Sequence, residues 1–312
     1  MEVLIMIIPF GKYKGQEIDV LAEDLSYARW MLAQEWFTQK YPDLAQAIGV
    51  LFEEESKEAG NKALKATENM LLSIDLKREK IEDYKKYPFS LPVIKNLERT
   101  LLHPHVTYIV GENGSGKSTL LEALAITQGF NPEGGTTNFH FDTHTSHSCL
   151  HEYLRIAKSG KTPQTGFFLR AESFFNVATE IERLDSLPSQ GAKIIESYGG
   201  KPLHEQSHGE AFLALMQHRF GDDGLYILDE PEAALSPNRQ MSILTLIHEL
   251  VKRGSQFIIS THSPILLAYP SSTIYQIEDK GLKQCTYEEC DTFRVSKNFL
   301  DDREKMLEIL LS

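Results

Sequence analysis

Basic charge is the first thing the 312-residue chain is short of: 32 Lys and Arg stand against 44 Asp and Glu, giving a formal net charge of −12. An acidic whole offers no overall cationic surface to a polyanion, so any such contact has to come from a local groove. Cysteine is scarce as well. Cys149, Cys285 and Cys290 are an odd number, with no secretory leader ahead of them, which excludes a disulfide framework and points to a reducing cytoplasm. Long apolar runs are missing too. Val3 to Ile8 and Ile265 to Ala268 fall far short of the roughly 20 residues a bilayer span needs, so no membrane segment is expected. Paired metal-ligand spacing is absent: His140, His144, His147, Cys149 and His151 crowd together without zinc-finger intervals and read as hydrogen-bonding, capping or surface groups.

What the chain does have is 41% hydrophobic residues, enough for one large domain plus something smaller. It is organised around Val106-Thr107-Tyr108-Ile109-Val110, then Gly111-Glu112-Asn113-Gly114-Ser115-Gly116-Lys117-Ser118-Thr119, then Leu120-Leu121-Glu122-Ala123-Leu124. The run of β-branched and aromatic residues predicts a strand covered on both faces, and the Leu and Ala residues predict a helix. The G-x-x-x-x-G-K-S pattern between them suits a phosphate. Backbone N–H groups, bare of side chains at Gly114 and Gly116, can curl round an anion at a helix N-terminus. Lys117 adds a point charge, and the Ser118 hydroxyl is a ligand for Mg²⁺.

Leu225-Tyr226-Ile227-Leu228-Asp229-Glu230-Pro231 is a second apolar strand ending in two acids. Successive strand side chains point to opposite faces, so the acids divide the work: Asp229 to hold Mg²⁺, Glu230 to orient and deprotonate an attacking water. Gln256 to Ser260 is a third buried strand, followed by Thr261 and His262. Upstream of the acids lies Ser207-His208-Gly209-Glu210, leading into an apolar helix. A hydroxyl and N–H groups at a positive helix terminus make an anion site without a lysine.

In that order these motifs resemble the ATP-binding-cassette (ABC) superfamily, whose signature is L-S-G-G-Q. Here Gln206 replaces the Leu, His208 the first Gly and Glu210 the Gln. The resemblance implies ATP and Mg²⁺ as cofactors, with Gly111 to Thr119 holding the phosphates. It makes His262 the switch histidine at the γ-phosphate and puts Ala234-Leu235-Ser236 in the D-loop. It further implies a head-to-tail homodimer in which Ser207 and Gly209 of one copy close over ATP held by the other. The family's Q-loop glutamine is not evident: after Gly166 to Arg170 come Ala171-Glu172-Ser173, and Arg170 or Glu172 stands in that region. Only about 90 residues separate Lys117 from Ser207, which excludes long coiled-coil arms.

Residues 87–312, including YPFSLPVIKNL and FFLRAESFFNVATEI, are similar to a group of soluble bacterial ABC-type ATPases. The expected fold class is therefore α/β, a P-loop NTPase of ABC type with a mixed sheet, helices on both faces and a helical or variable subdomain at about 130–215. Ahead of it, residues 1–48 read as a small β-β-α domain and 49–86, rich in Glu, Lys, Ala and Leu, as a helical connector. Residues 89–105 read as two short strands, Leu150 to Ala157 and Phe174 to Leu187 as helices. Tyr87 and Phe89 are candidates either to stack on adenine or to pack in the core. PFGKYKG followed by Tyr27-Ala28-Arg29-Trp30-Met31-Leu32 resembles a module at the C-terminus of exodeoxyribonuclease X-like proteins. Lys12, Tyr13, Lys14 and Arg29 would be its nucleic-acid contacts, though a small core with solvated lysines explains the same residues. The expected activity is Mg²⁺-dependent ATP hydrolysis coupled to a nucleic-acid or nuclease partner in repair or phage defence. The alternative is a nucleotide-gated scaffold acting on a protein.

Overall fold

The computed structural model describes residues 8–9, 12–22, 28, 31–32, 35–48, 69–136, 148–170, 174–186, 195–196, 200 and 208–312. Most of the expected first strand, Arg29 and Trp30, the three histidines at 140, 144 and 147, Glu172 and Ser207 lie outside these residues. The chain separates into two compact units, Met1–Lys65 and Ala66–Ser312.

In the first unit a turn closes through Gly15 (φ 84°). Ile8 N–H donates to Gln16 O at 2.9 Å and Gly15 N–H to Ile8 O at 2.8 Å. A 3-10 helix, Ile18–Ala22, and a helix, Glu35–Lys40, follow. The helical stretch breaks at Tyr41, and Pro42 opens a further helical segment over 42–48, a position where its missing N–H costs nothing. Ile8, Leu21, Ala28, Met31, Phe37, Leu44 and Ile48 form a closed apolar core, with Tyr13 and Tyr41 packed at its edge. Among the described aromatics of this unit, Phe37 is buried in that core.

The second unit is built on a six-stranded sheet of order β5-β6-β7-β3-β8-β9. Its strands are β3 (Val106–Val110), β5 (Thr165–Arg170), β6 (Gly224–Asp229), β7 (Gln256–Ser260), β8 (Ser272–Glu278) and β9 (Gly281–Cys285), and only β9 runs antiparallel to its neighbour. All residues of β3, β6 and β7 are buried, because helices or a second sheet cover both faces. Alternate residues feed different cores. Tyr108, Phe167, Tyr226 and Phe257 pack with helices α3 (His208–Arg219) and α4 (Pro237–Lys252). Ile109, Phe168, Ile227 and Ile258 pack with α1 (Lys117–Thr127), and helix α2 (Phe174–Ser186) follows β5. The C-terminal helices α5 (Asp291–Asp301) and α6 (Arg303–Leu311) bury none of their residues.

The second sheet is antiparallel and made of β1 (Leu71–Leu76), β2 (Thr100–Leu101) and β4 (Leu154–Lys158), in the order β2-β1-β4. It corrects three sequence expectations. Leu71–Leu76 is a strand, where 49–86 read as a helical connector. Its helix-forming composition yields to pairing on both edges, with Leu71, Ile74 and Leu76 buried. Only Leu150–Tyr153 of the expected 150–157 helix is helical, since Leu154 to Lys158 pairs with β1. Of the two strands expected in 89–105, one is β2, while Pro92–Lys95 is a helical turn with proline at its start. Gln256 holds the two sheets together. Its Oε1 accepts from the N–H groups of Met70 (3.1 Å) and Leu71 (2.9 Å), and its Nε2 donates to Leu71 O and His103 O, both at 2.9 Å. Among the described residues no helix is long and apolar enough to cross a membrane.

Candidate functional site

Three motif-bearing strands, β6, β7 and β3, are adjacent and parallel, so their C-terminal ends open on one edge of the sheet. Such an edge is where ligands collect in open α/β sheets. The loop after β3 turns through Gly114 (φ 78°) and Gly116 (φ 101°), backbone states that favour glycine. Gly116 is also confined by packing: a Cβ there would lie 2.7 Å from Val93 Cγ1. At Gly114 a Cβ would meet nothing within 4 Å, so that side of the loop faces open space. Gly111, Glu112, Asn113, Gly114 and Ser115 line one wall of a groove of about 860 Å³, with His262 and the β8–β9 turn on the other walls.

The Lys117 side chain is 3% exposed. Its Nζ donates to Gly111 O at 2.8 Å and Glu112 O at 3.0 Å, and lies 3.8 Å from Glu230 Oε1. Burial holds its pKa below the usual lysine value, while Glu230, Asp229 and Glu232 oppose that shift. The Ser118 hydroxyl donates to Asp229 Oδ1 at 3.2 Å. Ser260 Oγ donates to the same oxygen, and Arg170 Nε lies 3.9 Å from Asp229 Oδ2. Burial raises the Asp229 pKa, and the bonds from Ser260 and Ser118 and the charge of Arg170 pull it back.

Glu230 leaves the strand in a left-handed conformation, φ 50° and ψ 53°. Its N–H is held by Ser260 O and Ser260 Oγ, both at 3.1 Å. Its carboxylate reaches His262, whose Nε2 lies 3.4 Å from Glu230 Oε1 without making a hydrogen bond there. The His262 backbone N–H donates to Glu232 Oε1, which burial keeps above the ordinary carboxylate pKa. Ser263 caps the one-turn helix Pro264–Leu267 and donates to Gln240 Oε1 on α4, fixing the segment after the histidine.

The structure thus brings Lys117, Ser118, Asp229, Glu230 and His262 together, sets Arg170 of the expected Q-loop region beside Asp229, and adds Ser260 and Glu232. Thr119 Oγ1 lies 3.3 Å from the hydroxyl of Tyr87, a residue that is 64% exposed. Phe89 is buried edge-on to Tyr153 at 4.7 Å, a core role. Gly209 is buried in the first turn of α3, and Glu210 pairs with Arg239 of α4 at 3.2 Å. His151, the described histidine of the crowded stretch, hydrogen-bonds through Nδ1 to Ser148 O at 3.1 Å. Among the described residues no group of three or more His, Cys, Asp or Glu could hold a metal ion. The fit to Mg²⁺ rests instead on two hard oxygens, Ser118 Oγ and Asp229 Oδ1, in contact beside the phosphate loop, the small protein share such an ion takes when phosphates supply the rest. The fit to a triphosphate rests on the turn at Gly114 and on a lysine whose donors are now spent on loop carbonyls.

A family model described as "AAA domain, putative AbiEii toxin, Type IV TA system" matches residues 198–268, and one described as "AAA domain" matches 80–168. The energy-coupling factor transporter ATP-binding protein EcfA of Methanosphaera stadtmanae is 27% identical over 71% of this chain and 82% of its own. The EcfA of Methanocaldococcus jannaschii is 25% identical over 73% of this chain and 86% of its own. Among solved structures, cbiO1 of Clostridium perfringens aligns with 78% of this chain and 99% of its own at 19% identity and TM-score 0.40. The chain is thus similar to ATP-binding proteins of ABC type, on an α/β fold.

Proposed function

We propose that this chain binds ATP with Mg²⁺ and hydrolyses it, dimerising head-to-tail on the nucleotide to regulate a nucleic-acid-linked process such as repair or phage defence. One observation carries the chemistry. Lys117 Nζ and His262 Nε2 flank the same oxygen, Glu230 Oε1, at 3.8 and 3.4 Å, beside the Ser118–Asp229 pair. A cation that can grip phosphate, a base and a second polar group meet where a γ-phosphate would sit.

Each residue then has a task. The loop N–H groups and Lys117 bind and orient the triphosphate, Lys117 exchanging its loop carbonyls for phosphate oxygens. Ser118 and Asp229 would hold Mg²⁺, which supplies charge neutralisation at the phosphates. Glu230 orients a water and takes its proton, while His262 contacts the transferred phosphate. The exposed Tyr87 ring, tied to the first turn of α1 through Thr119, is the residue available to stack on adenine. Buried Gly209 at the start of α3 fits the signature role, in which Ser207 and Gly209 of one copy meet the nucleotide of another. The family model described for a toxin of a type IV system inclines the reading toward defence.

The test is nucleotide-dependent association of the Glu230→Gln variant. With ATP and Mg²⁺, light scattering should give a stable dimer, and Ser207→Arg should abolish it. A monomer at saturating ATP would contradict the closure, and unchanged association in the Ser207 variant would contradict the assignment of that serine.

A further inference from the structure

β5 ends at Arg170, which sits in register with Asp229 across the parallel β5–β6 pair. Its guanidinium forks between two carboxylates. Nη1 donates to Glu122 Oε2 at 2.8 Å, and Nε lies 3.9 Å from Asp229 Oδ2. Glu122 lies one turn beyond Lys117 and Ser118 on α1 and, like Asp229, is almost fully buried. Its other oxygen accepts from Ser148 N–H at 3.2 Å, so Glu122 is fixed from two sides. Two carboxylates withdrawn from water need a counter-charge beside them. Ser118 and Ser260 serve Oδ1 of Asp229, and Arg170 faces Oδ2.

We infer that Arg170 is a positioning residue that stands in for the divalent cation at Asp229 while the site is empty, its charge shared with Glu122. It keeps the carboxylate aimed at Ser118 and opposes a cation arriving alone. The phosphates of a nucleotide bring the extra negative charge that tips the balance, so metal enters with nucleotide instead of ahead of it. This rests on the reading of Ser118 and Asp229 as the cation's protein ligands.

The experiment is a titration of the full chain with Mn²⁺ in the absence of nucleotide, following the free-ion electron paramagnetic resonance signal. Arg170→Gln should bind Mn²⁺ about tenfold more tightly than wild type, the effect of removing one cation within about 4 Å of a carboxylate. Arg170→Lys should return toward wild type. Glu122→Gln should weaken Mn²⁺ binding, because the carboxylate that draws part of the Arg170 charge away from Asp229 is then gone. Opposite signs at two positions joined by one ion pair are not what loss of packing produces, and circular dichroism identifies any variant that fails to fold. Equal Mn²⁺ affinity in wild type and Arg170→Gln, or weakening in both the Arg170 and Glu122 variants, would overturn the inference. ATP binding by wild type and its loss in Lys117→Ala, measured alongside, separates failure here from failure of the ATPase reading.

Discussion

Glu230 follows Asp229 directly, and in a regular strand the two would point to opposite faces. The left-handed turn at Glu230 overrides that alternation and brings its carboxylate to Lys117 and His262. Such a conformation costs on the order of 1–3 kcal/mol in a non-glycine residue and persists where surroundings hold it, as Ser260 and Pro231 do here. If Lys117 holds the triphosphate as proposed, Lys117→Ala should raise the ATP Kd by about a hundredfold or more, read by fluorescent-nucleotide titration, with the fold retained. His103 sets an acid limit on stability. Burial, and secondarily the nearby His105, depress its pKa from 6.5 to about 4, and its Nδ1 accepts from the N–H groups of His105 and Val106. The native state therefore binds fewer protons than the unfolded chain between about pH 4 and 6.5, so this contribution is complete above 6.5 and is lost as pH falls toward 4. The loss amounts to about 3 kcal/mol. Thermal melts at pH 7 and pH 5 should differ less in His103→Gln than in wild type, and an unchanged difference would remove His103 from the account.

At the scale of elements, the phosphate loop is held from outside as much as by its own sequence. Val93, in the helical turn Pro92–Lys95, packs where a side chain at 116 would go. Gly116→Ala should cost more than about 1 kcal/mol and lower ATP affinity, because a positive φ and a close contact coincide there. Gln256 should matter as much to the fold. Gln256→Leu leaves buried backbone groups of Met70, Leu71 and His103 without partners, a loss of roughly 3 kcal/mol or more in urea unfolding. The strands β3, β6 and β7 were legible because each is an apolar run leading into polar residues of a known pattern. The strand Leu71–Leu76 was not, since Leu-Leu-Ser-Ile-Asp-Leu lacks a clean alternation and its conformation is set by β2, β4 and Gln256, all distant in sequence. The same limit hid part of the site. Lys117, Asp229 and His262 sit in readable strings, whereas Ser260, Glu232 and Glu122 gain meaning only once β6, β7 and α1 are side by side.

For the whole molecule, an acidic chain with an apolar, closed N-terminal core leaves nucleic-acid contact to local groups. Lys12 lies 4.8 Å over the Tyr13 ring and Lys40 5.6 Å over that of Tyr41, so each cation sits beside an aromatic face. If these pairs meet a polynucleotide, binding of single-stranded DNA or RNA by the full chain should weaken steeply as salt rises, and Lys12→Ala with Lys40→Ala should flatten that slope. Binding absent even at low salt would shift the partner to a protein. The most direct measurement of the central claim is steady-state phosphate release from ATP and Mg²⁺ by wild type and Glu230→Gln, with bound nucleotide quantified in the same samples. The account predicts equal ATP occupancy and a fall in turnover of about 10²- to 10⁴-fold in the variant, the usual contribution of a positioned base. Equal turnover in the two proteins would contradict it.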